Sequence, residues 1–162
     1  MILIGLGANL PSAAGAPEKT LRAALAALAE NGVEIAAVSY FYRSQAWPDA
    51  SDPPFVNAVA RVMTTDDPRS LLNFLHAVEN NFGRTRGEKN APRTLDIDVL
   101  DFNGRVESGP PQLPHRRLAE RAFVLLPLRD VAPDWRHPVS GKSVDALIAE
   151  LGAAAKSVNK ID

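Results

Sequence analysis

Two helical apolar stripes set between strand-like segments constrain this chain more than any other feature. Leu21, Leu25 and Leu28 recur at helical spacing behind Pro17, and Asn31-Gly32 closes a predicted helix over Pro17–Glu30. Leu71, Leu72, Leu75, Val78 and Phe82 repeat the pattern behind Asp67-Pro68, an N-cap followed by an N1 proline, and stop at Gly83. Residues 1–6 read as a buried strand ended by Gly7-Ala8-Asn9, and residues 33–43 as a β-branched, aromatic second strand. Residues 55–65 alternate as a third, and residues 95–102 form a fourth before a hairpin-type turn at Asn103-Gly104. The order β-α-β-β-α-β predicts an α+β, ferredoxin-like core with both main helices on one face of the sheet. Short helical pieces around residues 117–121 and 125–131, then a helix over 144–151, make a C-terminal helical extension. The tail from about residue 152 is expected to fray.

A chain of 162 residues forms one domain on this reading and buries roughly 70% of the surface its unfolded form exposes. With no cysteine, a disulfide framework, a thiolate nucleophile and Cys-based zinc sites are excluded. A net charge of −1 gives no bulk field for holding nucleic acid or a membrane surface. The apolar run at residues 1–6 is far short of the ~20 residues that span a bilayer, and no basic segment precedes it, so a cytoplasmic protein is expected. Charge is nonetheless uneven. Seven of the thirteen arginines fall between Arg84 and Arg121, with Lys89 among them, which suits a small anionic ligand.

The sharpest chemical signal is Asp96-Ile97-Asp98 on the fourth strand. A period of two turns both carboxylates to one side, ~7 Å apart, where they could hold a pair of Mg²⁺ ions. The same pattern also describes a half-exposed strand with an acidic outer face. Asp101, one step out of phase, is expected to point away from the pair. Arg84, Arg86, Lys89 and Arg93 precede the acids, and His115, Arg116, Arg117 and Arg121 follow them. Guanidinium groups pair with phosphate oxygens bidentately, so acids ringed by arginines form an inventory for phosphate transfer. No Walker A loop is present, and Gly5-x-Gly7 lacks the third glycine of a dinucleotide fingerprint. Trp47, Phe55, Asn57 and Phe123 form a second group that could sandwich a flat heterocycle, although each aromatic alone also reads as core.

The run Lys89-Asn90-Ala91-Pro92-Arg93-Thr94-Leu95-Asp96-Ile97-Asp98-Val99-Leu100 resembles the signature of the 6-hydroxymethyl-7,8-dihydropterin pyrophosphokinase family. The likeness extends through Gly7-Ala8-Asn9-Leu10, residues 39–44, Pro54-Phe55-Val56-Asn57-Ala58, Glu79 with Gly83-Arg84-Thr85-Arg86, Leu113-Pro114-His115 and residues 121–128. It implies transfer of the β,γ-diphosphate of ATP to the pterin hydroxymethyl group, with release of AMP, in folate biosynthesis. By resemblance Asp96 and Asp98 are ligands of two Mg²⁺, and Arg84, Arg86 and Arg93 are catalytic contacts of the ATP phosphates. Glu79, Lys89, Val99, His115 and Arg121 complete the ATP site. Asn9, Ser44, Gln45, Trp47, Phe55, Asn57 and Phe123 form the pterin site. The implied partners are these small molecules alone, with no nucleic acid and no membrane, and the chain is expected to act as a monomer.

The family pattern often has Arg-Trp-Gly where this chain has Lys89-Asn90-Ala91, and a tyrosine where it has Arg116. Residues 84–92, polar and basic, read as a mobile loop that closes on the triphosphate. A non-catalytic ferredoxin-like module that binds nucleotide or metal as a regulator is the alternative reading. An RNA-binding sheet would want aromatic and basic strand motifs that the first and third strands lack.

Overall fold

A computed structural model describes every residue except Arg86, Glu88, Lys89 and Asp162. Among the described residues the elements run β1 (Ile2–Ala8), α1 (Pro17–Glu30), β2 (Glu34–Val38), β3 (Tyr42–Ser44), β4 (Phe55–Met63), α2 (Pro68–Asn81), β5 (Asp96–Phe102), α3 (Ala122–Val131), α4 (Val144–Leu151) and β6 (Asn159–Lys160). The sheet is ordered β5-β1-β4-β3-β6, and β2 also lies beside β4. With β2 and β3 sharing the second-strand position, this is the ferredoxin-like order that the sequence predicts.

Both helix starts follow their signals. Asp67 accepts the Ser70 backbone N–H at 2.8 Å ahead of α2, and Pro17 opens α1. On one face of the sheet, Ile4, Leu6, Ala60, Ile97 and Val99 pack against Leu21 and Leu28 of α1 and Leu71, Leu75 and Val78 of α2. Each such side chain contributes roughly 1.5–3 kcal/mol on burial. On the other face, Leu3, Val59 and Leu100 pack under Leu125 and Leu128 of α3, Val144 and Leu147 of α4, and Trp135. The C-terminal extension therefore covers only part of the second face. Gly5, Gly7, Asn57, Asp96 and Asp98 on that face line an open cavity instead.

Five details depart from the sequence reading. β1 does not stop at Leu6 but runs through Gly7 to Ala8. The strand read over 33–43 is two, because Ser39 donates its own N–H to Val59 O and accepts the Val59 N–H on its hydroxyl, both at 2.9 Å. Asn103 and Gly104 both have positive φ, as a hairpin turn requires, yet among the described residues no strand returns along β5. Asp101 does not point to the opposite face. The β1–β5 register shifts between Leu3/Ile4, so Leu100 and Asp101 both turn towards α3 and α4, where Asp101 accepts Trp135 Nε1–H at 2.7 Å. The described part of the tail, expected to fray, holds a 3-10 segment at Gly152–Ser157 and a strand, β6, that pairs with β3.

Candidate active site

The uncovered part of the sheet is the floor of a cavity of about 590 Å³. Its geometry follows from strand register. Asp96 lies opposite Gly7, which lies opposite Asn57, and Asp98 lies opposite Gly5, which lies opposite Val59. Carboxylates and amide are thus two strand spacings apart, about 10 Å, with a glycine strand between them. The glycines serve by lacking a side chain: a Cβ on Gly7 would come within 3.2 Å of Asn57 Oδ1, and one on Gly5 within 3.3 Å of Leu100. The Gly-x-Gly pair that carries no dinucleotide motif is therefore the clearing on which the cavity stands.

Acids and cations gather at one end. Arg93 Nη1 donates to Asp96 Oδ2 at 3.1 Å, and Arg84 Nη1 lies 3.0 Å from Asp96 Oδ1. Arg84 is itself held by Glu79 Oε2 at 3.1 Å and by Leu95 O at 2.9 Å. Although 39% of its side chain meets the cavity, Asp98 is otherwise enclosed by protein. That burial and the neighbouring Asp96 charge push its carboxyl up to about 7, against the pull of Arg121, Arg93 and Arg84. His115 Nδ1 accepts the Arg117 backbone N–H at 3.2 Å, which leaves the proton of the neutral ring on Nε2, 3.6 Å from Asp98 Oδ2. Burial, with Arg121 next in weight, lowers the pKa of His115; burial and Arg117 lower that of Arg121.

Aromatic and amide groups gather at the other end. Asn57 is 5% exposed and donates Nδ2–H to Ser44 Oγ at 2.9 Å. Phe55 and Phe123 line the cavity with Ser44, Gln45 and Trp47. Each ring is already met by a cation of the acidic end: Arg93 stands 5.6 Å from the Phe55 centroid, and Arg121 stands 5.5 Å from that of Phe123. The two ends are one continuous surface.

Eleven of the expected residues line this cavity together: Ser44, Gln45, Trp47, Phe55, Asn57, Arg93, Asp96, Asp98, His115, Arg121 and Phe123. Four do not. Glu79 is buried beneath Arg84, and Arg84 reaches the site through its contact with Asp96. The Val99 side chain sits in the core on the α2 face, leaving only its backbone on the outer edge of β5. Asn9 is buried as a tie between loops, donating to Pro53 O at 3.0 Å and accepting the Arg93 N–H at 2.8 Å. Arg86 and Lys89 lie outside the described residues, and so does part of the loop read as mobile; its described residues form no helix or strand. The cavity is also lined by Gly5 and Gly7, by Arg117 (5.8 Å from the Trp47 ring), which the sequence reading placed in the arginine cluster without assigning it to the site, and by Ala154, Ser157 and Val158 of the tail. Arg117 was signalled by the arginine cluster; nothing local signalled the tail.

The acid pair suits a divalent cation. Burial and the Asp96 charge raise the Asp98 carboxyl to about 7, and a hard cation on oxygen ligands would favour its ionised form. Among the described residues no group of three or more His, Cys, Asp or Glu is placed to hold a metal, so phosphate and water oxygens would complete its shell.

The family model described as 7,8-dihydro-6-hydroxymethylpterin-pyrophosphokinase matches residues 3–133. A 2-amino-4-hydroxy-6-hydroxymethyldihydropteridine pyrophosphokinase of Pseudomonas aeruginosa is 39% identical over 150 residues, 91% of this chain and 90% of its own. One of the same name from Synechocystis is 37% identical over 155 residues, 94% of this chain and 77% of its own. Among solved structures, a Plasmodium falciparum HPPK-DHPS superposes with a TM-score of 0.72 at 15% identity, covering 99% of this chain and 46% of that one. The present chain thus spans about half the length of that fused protein, and the likeness at this identity concerns the fold.

Proposed function

The chain belongs to the 7,8-dihydro-6-hydroxymethylpterin-pyrophosphokinase family, and from that membership we propose how its cavity divides the work. The activity is a transferase reaction: ATP, the co-substrate, donates a pyrophosphoryl group to hydroxymethyldihydropterin in folate synthesis. The pterin hydroxyl oxygen bonds to the β-phosphorus as its proton is released to water, the bond from that phosphorus to the α,β-bridging oxygen breaks, and AMP departs.

One observation carries the assignment: an amide stands about two strand spacings from a carboxylate, across the glycine positions of β1, in a cavity that two aromatic rings also line. Phe55 and Phe123 stack on the pterin, and Asn57, oriented by Ser44, reads its edge, while Gln45 and Trp47 finish that wall. Arg93, Arg121 and His115 bind the triphosphate, and Arg84 steadies Asp96 from the side of Glu79. Asp96 and Asp98 would hold two Mg²⁺, which when bound neutralise the triphosphate and polarise its oxygens. In this reading Glu79 and Asn9 act by positioning Arg84 and Arg93, and Val99 meets nucleotide only through its backbone. Arg86 and Lys89 are assigned to the triphosphate on family resemblance alone. Catalysis on this plan is positioning and charge neutralisation, which suits phosphoryl-type transfer.

The proposed working unit is a monomer. Among the described residues no helix is long and apolar enough to cross a membrane, and a cytoplasmic site of action fits the pathway. Incubation with ATP, Mg²⁺ and 6-hydroxymethyl-7,8-dihydropterin tests the reading: AMP is the expected nucleotide product. ADP, or no turnover, contradicts it.

A further inference from the structure

The residues after α4 reach the cavity. Helix α4 ends at Gly152, whose φ of 57° and ψ of −124° suit glycine, and the chain turns back as the 3-10 segment Gly152–Ser157. β6 then adds to β3, with Tyr42 opposite Lys160 and Arg43 opposite Asn159. Beyond it the Ile161 N–H donates to Phe41 O at 2.9 Å, and the Ile161 side chain packs against the core beneath the sheet. The Lys160 ammonium stands 3.9 Å from the Tyr40 ring centroid. Between these anchors Ala154, Ser157 and Val158 line the cavity.

Besides α4, from which it continues, this tail touches two elements that help to build the aromatic end: β3, with Ser44, and α3, with Phe123, while Phe55 and Asn57 stand on β4. The wall is built from small residues. Ser157 folds its hydroxyl back onto Ala154 O at 2.7 Å, so it presents little bulk to the cavity. The 3-10 segment buries no residue of its own, so its side chains can change at little cost to the core.

We infer that Ala154, Ser157 and Val158 form a wall that sets the width of the pterin end of the cavity, and so help to determine which pterin enters. This rests on the assignment of pterin to Phe55, Asn57 and Phe123. Filling the wall should therefore exclude pterin and spare ATP. Ser157→Leu and Ala154→Leu, at two separate exposed positions, should each weaken calorimetric affinity for 6-hydroxymethyl-7,8-dihydropterin about tenfold, equivalent to roughly 1.4 kcal/mol. Affinity for Mg²⁺ with a non-hydrolysable ATP analogue should stay unchanged and reports that the variant is folded. Phe123→Ala, measured alongside, reads the pocket itself. Unchanged pterin affinity in both leucine variants, with a loss in Phe123→Ala, overturns the inference about the tail and leaves the pocket standing. Unchanged affinity in all three overturns the pocket assignment and the inference with it.

Discussion

Asp98, a proposed metal ligand, trades against the stability of its own fold. Its carboxyl is raised to about 7 in the folded chain against 3.8 when unperturbed, chiefly by burial and then by the Asp96 charge. The folded state therefore holds a proton that the unfolded state has already released. Ionising Asp98 costs stability from about pH 4 upward, and the cost is complete only above pH 7. Asp98→Asn removes that cost and should raise the Tm of the metal-free protein more at pH 8 than at pH 4, while turnover falls by orders of magnitude. Thermal scans at the two pH values check it; an equal shift at both contradicts the account of Asp98. Asp101 would make a poor silent control for such work, since it is 3% exposed and accepts hydrogen bonds from Trp135 and Gly104.

At the scale of elements, β1 carries the site by what it omits. Gly7 lies between the carboxylates and Asn57, and its backbone has ordinary strand geometry, so a side chain there strains the cavity rather than the chain. Gly7→Val should leave the fold intact, as circular dichroism would show, and raise the KM for pterin about tenfold or more through the clash with Asn57. An unchanged KM in a folded Gly7→Val contradicts the floor assignment. The elements also show where sequence reading succeeds. Asp67-Pro68 and Pro17 announce α2 and α1 because capping is a local matter of one side chain or one ring. The bulge that turns Asp101 with Leu100, the Ser39 interruption between β2 and β3, and the tail's pairing with β3 are settled by partners distant in sequence. No local pattern marks them. Within the site, the carboxylates, arginines and aromatics were legible from residue type and family likeness, whereas Gly7 and Ser157 matter through the space they leave.

For the whole molecule, a sheet packed under α1 and α2 on one face and only partly covered by α3 and α4 on the other leaves an open floor. The floor joins an acidic, arginine-ringed end to an aromatic end, and two substrates laid across it would meet over Gly7. Arg93 and Arg121 belong to both ends, bonding or facing the acids while lying against Phe55 and Phe123. The most direct test is a crystal structure of this chain with Mg²⁺, a non-hydrolysable ATP analogue and 6-hydroxymethylpterin. The account predicts the pterin ring between Phe55 and Phe123 with its edge on Asn57, and the triphosphate with its metal on Asp96 and Asp98. A pterin bound elsewhere, or a metal beyond the reach of both aspartates, would contradict it.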